Sequence, residues 1–187
     1  MPVKLSHRLL ILLGLGIALA VTRTTHFGTS EILPDASLAV FLLGGLLLGR
    51  VCGFAVLMVA AFGADVMSAQ TAEQAGWCLT PAYWGLVPTY ATLWLTGRWL
   101  GKRHRAGRLE VVQAAGVSVA ATALAFVISN FTWFAFSDTV NAMSLADFGL
   151  AVAKYFPSYL GSAMLYLIPA WFGWKLSQNR LHKPQSL

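Results

Sequence analysis

ASLAVFLLGGLLLGRVCGFAVLMVAAFGADV, residues 36–66, is the stretch on which the fold turns. Its only charges are Arg50 and Asp65. A spanning helix takes about 20 apolar residues, within a range of roughly 17 to 25, so this run is one overlong helix or two short ones. Four other segments meet the length requirement: Arg8 to Val21 with its flanks, Tyr83 to Trp99, Val111 to Phe136 and Tyr155 to Leu176. Parity chooses between the two readings. A single crossing over residues 36–66 puts the loop Arg98 to Arg108, with Arg98, Lys102, Arg103, Arg105 and Arg108, on the outside. Loops that rich in Lys and Arg resist translocation and stay cytoplasmic. Two crossings with a turn at Gly49-Arg50 return the loop to the inside. The sequence therefore predicts an all-α integral membrane protein. It forms a single domain over residues 1–187 with six transmembrane helices and both termini cytoplasmic.

The charges divide along the same line. Lys4, Arg8, Arg50, Arg98, Lys102, Arg103, Arg105, Arg108, Lys175, Arg180 and Lys183 fall on the inner side of this topology, while Glu31, Asp35, Asp65, Glu73, Asp138 and Asp147 fall on the outer side with only Arg23 and Lys154. With 57% hydrophobic and 11% charged residues the chain is neither disordered nor typical of soluble proteins. The net charge of +6 is dispersed over short loops and tails, so it reads as positive-inside bias rather than as a nucleic-acid surface. The N-terminus has the pattern of a secretory signal, with Lys4 and Arg8, an apolar run and Ala18-Leu19-Ala20. In a six-span chain it serves as an uncleaved first span. Trp77, Trp84 and Trp133 toward the outside, and Trp99, Trp171 and Trp174 toward the inside, suit interfacial belts. A Gly-rich phosphate loop ending in Lys-Ser/Thr is absent from the sequence, so energy for transport must come from elsewhere.

Reactive groups collect on the outer side. His26 follows the first helix, Asp65 ends the third, and Gly76-Trp77-Cys78-Leu79-Thr80-Pro81-Ala82-Tyr83 leads into the fourth. Ionisable groups at membrane depth are costly and often functional. Each also has a plainer reading: Asp65 as a helix-end carboxylate in water, His26 as a solvated loop residue, Cys78 as an inert thiol. A thiolate is both a soft metal ligand and a nucleophile, and Trp77, Pro81 and Tyr83 would wall a partly apolar site beside it. Cys52, on an apolar helix near the opposite face, makes an internal disulfide with Cys78 improbable.

Six short helices, small residues at four-residue spacing in the first (Gly14, Ala18, Thr22; Gly16, Ala20), a basic inner loop and the outer Trp77-Cys78-Leu79-Thr80-Pro81 segment with His26, Asp65 and Tyr83 resemble a known family. It is that of the substrate-binding S-components of energy-coupling-factor transporters, in particular the cobalamin-specific BtuM group. The resemblance implies vitamin B12 (cobalamin) binding in an outward-facing pocket and uptake across the bacterial cytoplasmic membrane. Cys78 would be an axial ligand to the cobalt of the transported cobalamin. His26, Asp65, Trp77, Thr80, Pro81 and Tyr83 would surround the corrin. The implied partners, besides the lipid bilayer, are a T-component with two ATPases, or none in a solitary mode. The chain departs from the family's Ala-x-x-x-Ala docking motif, having Gly14-x-x-x-Ala18 and Gly16-x-x-x-Ala20 instead. A thiolate on cobalt also labilises the opposite axial group, so removal of cyanide from cyanocobalamin is a further expectation, with His26 or Asp65 taking the thiol proton. The rival reading is a membrane enzyme with Cys78 as nucleophile, His26 as base and Asp65 orienting the histidine. A scaffold with merely solvated outer residues and an S-component for another vitamin are the plainer alternatives.

Overall fold

The computed structural model describes residues 5–24, 33–71, 81–105, 110–137, 140 and 142–181. Among these the chain is helical, without strands: α1 (Leu5–Thr24), α2 (Ser37–Leu47), α3 (Val51–Thr71), α4 (Leu86–Arg105), α5 (Val111–Phe136), α6 (Leu145–Ala153) and α7 (Phe156–Leu181), with a short 3-10 helix at Pro81–Gly85. The predicted break at Gly49-Arg50 is present. Gly49 has φ +61, a left-handed conformation that glycine adopts without a Cβ penalty. Its N–H reaches back to the Gly44 carbonyl, closing the end of α2. A chain reversal, rather than a continuous helix, is what residues 36–66 encode.

Among the described residues three helices are long and apolar enough to cross a membrane: α1 over Leu5–Arg23, α3 over Val51–Ala69, and α5. α2 is apolar but shorter. Its 11 residues rise about 16 Å, near half the roughly 30 Å of a hydrocarbon core. The long helices α4 and α7 mix Thr, Tyr, Trp and Pro among their aliphatic residues. Apolar side chains cover the outside of the bundle as well as its core. Leu9, Leu13 and Ile17 on α1, Val59 and Met67 on α3, Val112 and Val127 on α5, and Leu165 and Phe172 on α7 are all exposed. Exposure distributed around every long helix is what a lipid-facing surface looks like, since soluble proteins rarely expose contiguous apolar area on this scale.

α2 is the centre of the bundle, with Ser37 to Leu42, Gly44 and Gly45 buried. Its partner is α4, and the two approach to backbone contact. A Cβ on Gly45 would run into the Trp94 carbonyl, and one on Gly97 into the Leu42 carbonyl. Three residues forward on α2 correspond to three residues back on α4, so the pair is antiparallel. The Trp94 ring lies over Gly44 of α2 and Gly53 of α3, filling space that these two glycines leave open. Trp94 is therefore a core residue, unlike the interfacial rings expected at helix ends. Trp84, 77% exposed, and Trp99, 39% exposed, keep that peripheral position.

Contacts at the helix ends give the directions of the rest. Arg23 near the end of α1 and Asp65 late in α3 meet Ser37 at the start of α2 and Tyr90 early in α4. Late α5 contacts the 3-10 helix through Thr132 and Gly85, and early α7 through Phe126 with Phe156 and Tyr159. Helix direction thus alternates along α1, α2, α3, α4, α5 and α7. The sequence reading had no counterpart for α6, a nine-residue helix whose start is capped by Ser144. The Ser144 hydroxyl accepts from the Asp147 N–H at 3.2 Å and donates to the Asp147 carboxylate at 2.6 Å. Ser-x-x-Asp is a capping signature, and it was legible in the sequence.

Candidate functional site

The most concentrated polar chemistry among the described residues is a buried cluster at the end of the bundle where α1 and α3 finish and α2 and α4 begin. Its centre is Arg23, in the last turn of α1, where a cation also complements the helix dipole. Arg23 Nε donates to Asp65 Oδ1 at 2.5 Å and Nη2 donates to Oδ2 at 2.7 Å, a two-pronged pair with both residues under 10% exposed. Nη1 donates to Ser37 Oγ at 2.8 Å and Tyr90 Oη at 2.6 Å. Four helices are tied to one guanidinium. Its planar fork of donors suits this role, which the single ammonium of a lysine would not fill.

The surrounding groups are held as firmly. Asp35 Oδ1 accepts from the Ser37 N–H at 2.9 Å and from the Ser37 hydroxyl at 2.6 Å, an Asx-type turn that satisfies a free donor at the start of α2. The second oxygen of Asp35 lies 3.9 Å from Arg23 Nη1. Tyr90 stacks on Phe41, with centroids 4.1 Å apart and planes inclined by 6°. Thr22 accepts from the Ala36 N–H at 3.1 Å, and Tyr166 of α7 donates to the Pro34 carbonyl at 2.6 Å, fixing the segment that enters α2.

Of the residues singled out in the sequence, Asp65 and Tyr83 are brought together: Tyr83 Oη donates to Asp65 Oδ2 at 2.7 Å. Asp65 is not a helix-end carboxylate in water. It is 3% exposed, and both its oxygens are engaged. Tyr83 lies in the 3-10 helix, half-buried, with Phe62 against its ring at 5.9 Å, so α4 starts at Leu86 rather than at Tyr83. Pro81 opens the 3-10 helix and is exposed. His26, Trp77, Cys78 and Thr80 lie outside the described residues. Cys52 is a free, exposed thiol at the start of α3. Among the described residues no group of three His, Cys, Asp or Glu is placed to hold a metal ion.

Arg23, Ser37, Asp35 and Tyr90 were not among the predicted site residues. Arg23 had a signal, being a basic residue on the acidic side of the charge split at the end of an apolar helix, where a buried cation demands a carboxylate. Ser37 and Tyr90 had none, because only the packing of α2 against α4 brings them to it. On α1, Gly14 and Ala20 are exposed and a Cβ added at Gly14 or Gly16 would meet nothing within 4 Å, whereas Ala18 packs against the core and Thr22 is buried. No protein-family model matches the chain, and no curated protein matches it.

Proposed function

We propose that this chain is a six-span membrane protein that captures cobalamin at one face and delivers it across the bilayer. The observation that carries the reading is the contact between Tyr83 and Asp65, pinned by Arg23. The segments holding His26 and Cys78, residues 25–32 and 72–80, join the helices whose ends form this cluster. A corrin rim is rich in amides and wants fixed donors and acceptors beside a ligand for cobalt. In this reading Cys78 supplies the thiolate. Of the two candidate acceptors for the thiol proton, Asp65 is already neutralised by Arg23, so the role falls to His26. The same engagement weakens the rival nucleophile scheme, which needs Asp65 free to orient a histidine.

Six crossings follow if the alternating helices are all spans. Residues 33–36 lead into the short α2 outside regular structure, with Ala36 already in helical dihedrals. Gly14, exposed on α1, leaves room for close approach of another helix, as an energy-coupling partner would require. In this reading both termini are cytoplasmic, on the side of the basic loops. A membrane-impermeant thiol reagent applied to intact cells is expected to label Cys78 in the ligand-free protein and to spare Cys52. Labelling of Cys52 alone inverts the topology.

The decisive test of the ligand is the visible absorption spectrum of protein purified from cells supplied with cobalamin. Wild type is expected to carry a bound corrinoid spectrum. Cys78→Ala is expected to shift it and to weaken affinity by about tenfold to a hundredfold, the scale on which metal sites respond to losing a supporting group. An unchanged spectrum and affinity in Cys78→Ala removes the thiolate from the mechanism.

A further inference from the structure

A second feature lies at the opposite end of α4, away from the Arg23 cluster. Leu95, Thr96 and Trp99 of α4 and Val117 of α5 line an open groove of about 320 Å³ between the two helices. Leu95, Trp99 and Arg103 stand at four-residue intervals on one face of α4, and Lys102 lies beside them. The Arg103 guanidinium sits over the Trp99 ring, 4.4 Å from its centroid. Arg103 and Lys102 are exposed, so a positive charge is positioned at the mouth of an apolar channel on the lipid-facing surface.

The groove also contains an uncommitted polar group. Thr22, Thr89, Thr92, Thr122 and Thr132 each return their hydroxyl to the carbonyl four residues back. Thr96 makes no such bond among the described residues, which leaves its hydroxyl available on the groove wall. From Thr96 to Arg103 the helix rises about 10 Å. From mouth to floor the order is cation, aromatic ring, hydroxyl and aliphatic side chain. A phospholipid presents the complementary order of phosphate, glycerol ester and acyl chain. The acidic group nearest in sequence on the facing helix is Glu110 at the start of α5, one carboxylate against two cations.

We propose that this groove is a binding site for an anionic phospholipid, with the phosphate at Arg103 and Lys102, the ester region at Trp99 and Thr96, and one acyl chain against Leu95 and Val117. Juxtamembrane Lys and Arg each attract anionic headgroups by about fivefold in affinity, and the apolar groove adds chain selectivity that a surface charge lacks. The inference is independent of the cobalamin reading.

The test is quenching of Trp99 fluorescence, taken as wild type minus Trp99→Phe, in phosphatidylcholine vesicles containing a few mole per cent of lipid brominated on the acyl chain. Brominated phosphatidylglycerol is expected to quench about tenfold more effectively than brominated phosphatidylcholine, given two cations screened by salt. Soluble glycerol phosphate is expected not to reverse the quenching; reversal would mean a phosphate site without a chain site and would overturn the lipid assignment. Arg103→Gln is expected to lose most of the preference, and Val117→Phe, which fills the groove without adding a second indole, to lose it with the charges intact. Arg50→Gln, a basic residue off this face of α4, is expected to keep it. Equal quenching by the two lipids in wild type, or an equal loss in Arg50→Gln and Arg103→Gln, overturns the proposal in favour of general charge attraction.

Discussion

Arg23→Met is expected to destabilise the protein by about 3 to 5 kcal/mol, the usual scale for removing one partner of a buried pair and leaving the other charge uncompensated. Asp65 is 3% exposed and receives both prongs of the guanidinium. Without Arg23, only the Tyr83 hydroxyl among the described residues still donates to this carboxylate. Asp65→Asn should cost a similar amount from the other side. Arg23→Lys should recover only part of the loss, because an ammonium cannot make the two parallel bonds and also reach Ser37 and Tyr90. The double change Arg23→Met with Asp65→Leu is expected to regain most of it, since replacing a buried pair by apolar groups is often close to neutral. Thermal or denaturant unfolding in detergent checks the series. An Arg23→Met protein within about 0.5 kcal/mol of wild type, the ordinary range of a surface substitution, would mean that the pair does not hold the bundle together. If the cobalamin reading is correct, the double variant should fold yet bind the vitamin poorly, because Tyr83 loses the acceptor that orients it.

The second large effect concerns the α2–α4 crossing. Gly97→Ala drives a Cβ into the Leu42 carbonyl, and Gly45→Ala drives one into the Trp94 carbonyl. Neither obstacle is a side chain that can turn away. The two helices must move apart, and α2 is the buried centre of the fold. Overpacking of this kind costs about 1 to 3 kcal/mol and sometimes more, and Gly97→Val should prevent folding. Gly14→Ala on α1 is the contrast. Its Cβ meets nothing within 4 Å, so the helix propensity gain of somewhat under 1 kcal/mol should appear as neutrality or slight stabilisation. Unfolding midpoints of the three alanine variants decide the matter. A Gly97→Ala protein as stable as Gly14→Ala would mean the close crossing is absent.

Length, apolarity and charge bias were enough to read an all-helical membrane-type chain, and parity against the basic loop 98–108 was enough to read the reversal at Gly49-Arg50, where the structure has Gly49 at φ +61. The same kind of local pattern, Ser144 three residues before Asp147, marks α6. Asp65 and Tyr83 were legible as candidates, since polar groups beside apolar helices attract attention on cost alone. Their pairing was not legible, nor was the recruitment of Arg23, Ser37 and Tyr90. Arg23 and Tyr90 are 67 positions apart, and no periodicity relates them. What sets their distance is the antiparallel crossing of α2 and α4, made possible by two glycines whose carbonyl partners belong to the other helix. Sequence by itself determined the long apolar helices, a property of consecutive residues, and the turn, from the side on which the basic loop 98–108 must lie. Only the tertiary structure decided which charge neutralises Asp65, because that depends on which helix ends coincide once the backbones of α2 and α4 are in contact.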